Sequence, residues 1–187
     1  MRVIAGKFGS RKLKSPPSLR VRPTSDRLRE TLFNVLGATV EDALFFDLYA
    51  GTGAIGIEAV SRGAREVIFV ESHAATAKLI RENLATLGIC EGVEVMQTPA
   101  VRALDKLAAR HLLADFIFLD PPYDVPDEYA ETLEFLDTSH LVAPEGIVIA
   151  EHRRKIDLPE RLVRLERTRL LEQGDAALSF YRLAAAA

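Results

Sequence analysis

The sequence predicts an α/β fold: a mostly parallel sheet covered by helices on both faces. Three observations carry the prediction. Short apolar runs suited to buried strands recur between residues 44 and 150. Segments with apolar residues at helical spacing separate them, the rhythm of strand–helix–strand units. The last third breaks that rhythm. Leu162–Leu171 and Ala177–Leu183 flank Glu172-Gln173-Gly174-Asp175, the pattern of a hairpin, so one antiparallel strand is expected at the sheet edge.

Each element has its own warrant. Residues 2–22 mix short β-prone pieces with Gly, Ser and Pro, and read as an irregular or hairpin-like segment. Pro23 leads into a helix capped by Thr24, Ser25 or Asp26. Leu28, Leu32, Val35 and Leu36 form its apolar stripe, and Arg27, Arg29 and Glu30 lie off it. Leu44–Tyr49, Val67–Val70, Val93–Met96, Phe116–Leu119 and Ile147–Ala150 are the expected strands. Helices are expected over 54–62, 74–87, 100–110 and 127–137. With the final hairpin this makes seven strands. Two regions follow: a basic extension with its helix over 1–40, and the α/β body over 41–187.

Composition excludes several classes. The chain has 187 residues, 48% apolar and 27% charged, as expected of a globular protein that folds without disulfides or metal. No apolar run approaches the ~18–20 residues of a spanning helix. Cys90 is the only cysteine, so no intrachain disulfide forms and a cytoplasmic setting is expected. His73, His111, His140 and His152 lack metal-ligand spacing, so no metal is expected and the histidines read as solvent-facing or capping.

The net charge of −3 hides an asymmetry. Residues 1–30 carry nine Lys/Arg against two acids, giving +7, and the remainder is −10. A basic segment on an acidic body points to an anionic partner. Pro16-Pro17 and Pro23 interrupt any amphipathic helix there, which argues against a targeting peptide.

Two motifs carry chemistry. The first strand runs into Asp47-Leu-Tyr-Ala-Gly51-Thr-Gly53-Ala-Ile-Gly56, a G-x-G-x-x-G between strand and helix. Glu71 closes the next strand, 20 residues after Gly51, where a carboxylate can accept from both hydroxyls of a ribose. A dinucleotide and S-adenosylmethionine both fit such a loop. Asp47, four residues before the first glycine, favours the second, because a carboxylate repels a pyrophosphate and tolerates a sulfonium with an ammonium-bearing tail.

The fourth strand ends in Asp120-Pro121-Pro122-Tyr123. The prolines fix an extended turn. The Asp120 carboxylate and the Pro121 carbonyl are both acceptors, matched to the two donors of an exocyclic NH2 group. Tyr123 offers a stacking face for a base. A nucleobase amine is a weak nucleophile, since its lone pair is delocalised. Acceptors orient that lone pair and stabilise the positive charge growing on nitrogen.

With these motifs the sequence resembles the RsmD family, bacterial 16S rRNA guanine-N2 methyltransferases. The resemblance also rests on Arg2-Val-Ile-Ala-Gly-Lys, on Arg22-Pro-Thr-Ser-Asp-Arg-Leu-Arg-Glu-Thr-Leu-Phe-Asn, and on Ser61-Arg-Gly-Ala. It implies a class I, Rossmann-like methyltransferase sheet of seven strands with S-adenosylmethionine as donor. It implies methylation of the guanine 2-amino group at position 966 of the usual 16S rRNA numbering, on the small subunit or its precursor. Carried over by motif, Asp47, Tyr49, Gly51, Gly53, Glu71 and Ser72 line the cofactor pocket, and Asp120, Pro121, Pro122 and Tyr123 hold the base. Pro99 stands where the family often has a polar residue near the adenine, so the Ala100 N–H or Thr98 takes that role. Lys7, Arg11, Lys12, Lys14, Arg20, Arg22, Arg27 and Arg29 are expected on RNA phosphates. A monomer away from membranes is expected.

Other readings share parts of this pattern. Adenine N6 or cytosine N4 in DNA, or a glutamine amide, presents the same planar NH2. A nicotinamide-dependent oxidoreductase shares the glycine loop and leaves Asp120–Tyr123 without a use. A nucleic-acid-binding module would use the basic segment alone.

Overall fold

A computed structural model describes residues 1–15, 25–122, 125 and 127–185. Strands β1 (Leu44–Leu48), β2 (Glu66–Val70), β3 (Val93–Met96), β4 (Ala114–Leu119), β5 (Val142–Arg153), β6 (Leu165–Gln173) and β7 (Ala176–Leu183) form one sheet in the order β3-β2-β1-β4-β5-β7-β6. Helices α1 (Asp26–Leu36), α2 (Ala54–Ser61), α3 (Ala74–Leu87), α4 (Ala100–Ala109) and α5 (Asp127–Thr138) cover it. β1 to β5 pair in parallel, and β7 runs antiparallel to both β5 and β6. The antiparallel strand is therefore inserted second from the edge, and β6 takes the edge itself.

Alternation along the central strands builds two cores. Phe45, Val67, Phe69, Phe116 and Phe118 face α1, α2 and α3; Phe46, Leu48, Ile68, Val70, Ile117 and Leu119 face α4 and α5. Successive side chains of a strand point to opposite faces, so strands buried on both faces read as continuous apolar runs. Phe45 packs between two rings, stacked on Phe33 at 6.2 Å and tilted against Phe116 at 5.9 Å between centroids, which anchors α1 to the sheet.

The first fifteen residues belong to the first of these layers. Val3 donates to Arg11 O at 2.9 Å, Ser10 to Val3 O at 2.9 Å and Leu13 to Met1 O at 3.1 Å, closing a small hairpin. Val3 and Leu13 are buried in the same core as α1. The tip is held by α2: Glu58 accepts from Ile4 N at 2.7 Å and Ala5 N at 3.0 Å, and Ser61 Oγ accepts from Phe8 N at 2.9 Å. Gly6 sits at φ +78°, and a Cβ there would lie 1.9 Å from Ser61 O, so only glycine permits this approach.

Three further departures have local causes. β5 starts at Val142, earlier than its apolar run, and its pairing with β4 shifts between Ala114 and Phe116, the bulge that accommodates Pro144. β6 starts at Leu165 because the Asp137 carboxylate accepts from Val163, Arg164 and Leu165 N–H and holds a turn there. His152 is buried, not solvent-facing: Nε2 lies 2.9 Å from Ser179 Oγ and Nδ1 2.9 Å from Arg153 O. Burial pulls its pKa down, favouring the neutral ring.

Candidate active site

The strand register sets the site. Leu48 of β1 pairs with Val70 of β2 and with Leu119 of β4, and Leu119 pairs with Ala150 of β5. The residues just beyond, the glycine loop, Glu71, Asp120 and Glu151, therefore share the carboxyl edge of the sheet, where ligands of parallel α/β sheets bind.

The loop is built by strained backbone and by two carboxylates. Tyr49 adopts φ +62°, Gly51 +54° and Gly53 +77°. A left-handed Tyr is unfavourable, and Tyr49 is held there in part by its hydroxyl, 2.7 Å from Thr132 Oγ1 on α5. Its phenol is pushed above its usual range, chiefly by burial. Gly56 serves close packing: a Cβ there would lie 2.3 Å from the Phe69 ring. Asp47, buried on β1, accepts from Gly56 N at 2.8 Å and ties strand to helix. Burial pushes its pKa up to about 8, and the Glu71 carboxylate adds to that. Glu71 Oε2 accepts from Gly51 N at 3.0 Å, and Oε1 from His73 N at 2.8 Å.

The neighbouring positions complete a rim. Exposed Ser72 follows Glu71, its Oγ 3.2 Å from His73 Nδ1. Ala100 is buried as the first residue of α4, with Pro99 as N-cap, so the helix N-terminus faces this edge. Thr98 N donates to Met96 O at 3.1 Å.

Asp120 is half-buried after β4, Pro121 is buried and Pro122 exposed. The Asp120 carboxyl is held well above the usual range, first by burial, then by the Glu151 and Asp47 carboxylates. Glu151 is buried on β5, and Tyr129 of α5 donates to its backbone oxygen at 2.8 Å. The sequence reading missed Glu151; its signal is an acid at the end of an apolar strand, the same signal that marked Glu71. Tyr123 lies outside the described residues. The acids Asp127 and Glu128 stand in the first turn of α5 and complement its dipole.

The basic residues divide. Lys7, Arg11, Lys12, Lys14 and Arg27 are exposed, with Lys14 Nζ 3.0 Å from Glu82. Arg20 and Arg22 lie outside the described residues. Arg29 is corrected: it is fully buried, donates to Arg2 O and to Asp26 at 2.9 Å, and lies 3.9 Å from Glu58. Its guanidinium is enclosed between hairpin, α1 and α2, and so does not face a solvent-side phosphate. Among the described residues no group of three or more His, Cys, Asp or Glu could hold a metal ion, and no helix is long and apolar enough to cross a membrane.

A seven-stranded sheet of this order, with a glycine loop after β1, an acid after β2 and an acidic motif after β4, defines a Rossmann-like methyltransferase. The comparisons with known proteins agree. The family model described as "Conserved hypothetical protein 95" matches residues 1–182. The chain belongs to this family, the RsmD family. It is 35% identical over 182 residues to YlbH of Bacillus subtilis (strain 168), covering 97% of this chain and 98% of that protein. It is 35% identical over 159 residues to "Ribosomal RNA small subunit methyltransferase D" of Escherichia coli (strain K12), covering 85% and 78%. The solved structure of Escherichia coli yhhF superposes with a TM-score of 0.85 at 31% identity, covering 100% of this chain and 99% of that one.

Proposed function

We propose that this protein transfers a methyl group from S-adenosylmethionine to the exocyclic 2-amino group of a guanine in 16S rRNA of the small ribosomal subunit or its precursor. The observation that carries the reading is the cluster of acceptors at one sheet edge: Asp120 and the Pro121 turn after β4, beside the glycine loop after β1.

The donor set suits that cofactor. Glu71 supplies a carboxylate where a pyrophosphate would be repelled, whereas ribose hydroxyls satisfy it, and an ammonium group beside the buried Asp47 would favour the charged form of that carboxyl. Glu71 and Ser72 would hold the ribose, Asp47, Tyr49, Gly51 and Gly53 the charged tail, and the Ala100 N–H the adenine. When bound, the cofactor supplies an electrophilic methyl group on sulfur. Asp120 and the Pro121 carbonyl then orient the amine. Carboxylate charge at Asp120 stabilises the cationic nitrogen that develops as the methyl arrives. The alkylated amine is acidic and releases its proton afterwards. Tyr123 would stack on a base taken out of its helix. Lys7, Arg11, Lys12, Lys14, Arg20, Arg22 and Arg27 would contact phosphates.

Relatives whose names specify small-subunit rRNA support the substrate class. The test is methyl transfer from labelled S-adenosylmethionine to 30S subunits from a strain lacking this activity, with the labelled nucleotide mapped by mass spectrometry. A single N2-methylguanosine in 16S rRNA is expected. Label on DNA adenine or cytosine instead, with 30S subunits unlabelled, would overturn the substrate.

A further inference from the structure

Asn83 lies on α3, outside the motifs, and is 2% exposed. Its amide is fully engaged. Oδ1 accepts from Lys14 N at 2.8 Å; Nδ2 donates to Lys14 O at 3.2 Å and to Thr52 O at 3.1 Å. Lys14 ends the basic hairpin, and Thr52 stands between Gly51 and Gly53. One buried side chain thus bonds the hairpin and the glycine loop together. A second contact runs beside it, from Thr52 Oγ1 to Met1 Sδ at 3.5 Å. The other end of the hairpin rests on Glu58 and Ser61 of α2, the helix that begins at the loop.

We propose that Asn83 is a positioning residue that couples the basic hairpin to the glycine loop, so that occupation of either site tightens the other. The proposal rests on the reading above, in which the loop takes S-adenosylmethionine and the hairpin takes RNA. The physical basis is shared ordering. A ligand that fixes the loop fixes the Thr52 carbonyl, and through Asn83 the backbone of Lys14. Lys14 Nζ is held by Glu82, the residue before Asn83, at 3.0 Å. A phosphate that draws Lys14 Nζ away therefore acts on the residue Asn83 grips by its backbone. Linkage makes the effect equal in both directions.

The test uses the full chain and S-adenosylhomocysteine. Its affinity is measured by calorimetry, and hydrogen exchange of the amides in residues 1–15 is followed with and without saturating ligand. In the native protein the ligand is expected to slow exchange of the Lys14 amide by about five-fold or more, the lower end of ordinary coupling between sites. N83D keeps the acceptor for the Lys14 N–H, the shorter of the two bonds to the hairpin, and loses the amide donor to Thr52 O and to Lys14 O. It should keep the hairpin protected without ligand, bind S-adenosylhomocysteine more weakly and lose the exchange response. N83A should lose both links. Ligand binding that leaves the Lys14 amide unchanged in the native protein overturns the coupling and leaves the function intact, and so does an undiminished response in N83D. Failure of the native protein to bind S-adenosylhomocysteine overturns the function and the coupling with it.

Discussion

Glu71 Oε2 accepts a hydrogen bond from the Gly51 N–H at 3.0 Å, so the acid after β2 holds the loop after β1. Its other oxygen accepts from the His73 N–H at 2.8 Å and shapes the entry to α3. Removing the carboxylate takes away the acceptor that holds the Gly51 and His73 N–H groups and the partner proposed for the ribose. Hydrogen bonds to charged groups contribute about 1.5–3 kcal/mol, so Glu71→Ala is expected to weaken S-adenosylhomocysteine roughly 10- to 100-fold. Calorimetry checks it, and unchanged affinity would remove Glu71 from the pocket.

Asp120 separates chemistry from cofactor binding. In the proposed mechanism it meets the substrate amine and not the loop, so Asp120→Ala is expected to lose turnover on the order of 10²–10³-fold, the scale of losing one preorganised electrostatic partner. S-adenosylhomocysteine should still bind with near-native affinity. Burial, Glu151 and Asp47 hold the Asp120 carboxyl well above the ordinary range. The charged form therefore appears only as pH rises, and single-turnover rates should climb with pH along that limb. Asp120→Asn should be slow and show no such limb. An equal loss of turnover and cofactor affinity would place Asp120 in the loop's support instead.

Asp47 makes a stability prediction with a definite sign. Its pKa is pushed up to about 8 from 3.8, so between those values the folded protein binds more protons than the unfolded chain. Stability from this group is full below the lower value and falls as pH rises through the window. Asp47→Asn keeps an amide oxygen for the Gly56 N–H without the buried charge. Its melting temperature, compared with the native protein at pH 5 and at pH 8.5, should gain on the native value as pH rises. A constant difference would show that Asp47 does not titrate in this window.

Glu58 and Arg29 form the buried joint between hairpin, α1 and α2. Glu58 accepts from Ile4 and Ala5, pairs with Arg62 at 2.8 Å and lies 3.9 Å from Arg29. Glu58→Ala leaves Arg29 charged and enclosed. Breaking a buried pair in this way costs about 3–5 kcal/mol, or roughly 10 °C in a domain of this size. Arg29→Met removes the buried charge along with its pairing and is expected to cost less. Thermal unfolding of the two variants decides, and the reverse ranking would show that Arg29 acts through its bonds to Arg2 and Asp26.

What the sequence made legible follows from locality. The central strands stood out because both faces are buried, so Leu44 to Phe46 and Phe116 to Leu119 read as unbroken apolar runs. The glycine loop and Asp120 stood out because their partners are near in sequence or set by strand ends. Arg29 did not: three residues from Asp26, it looked like one more solvent charge, and its enclosure depends on Glu58, 29 residues away, and on a hairpin whose docking no local pattern encodes. Glu58 itself carries the only hint, a lone acid in the apolar run Ala54–Ser61. His152 was misread for the same reason, since Ser179 reaches it only through the β5–β7 pairing. The late start of β6 depends on Asp137, 28 residues before Leu165.

The hairpin's charges have a measurable signature. Each phosphate neutralised on a single strand contributes about 0.7 to the slope of log K against log[salt]. Replacing Arg11, Lys12 and Lys14 together with Ala is expected to weaken binding of a 16S rRNA fragment and to flatten that slope by about 2. The three are not equivalent. Arg11 and Lys12 are exposed, whereas Lys14 Nζ already sits 3.0 Å from Glu82, and a phosphate must displace that carboxylate. Lys12→Ala should therefore change the slope more than Lys14→Ala. Arg29→Met should leave the slope unchanged, because its charge is enclosed. Fluorescence anisotropy over a salt series separates these outcomes, and a triple variant with the native slope would show that the RNA is held elsewhere.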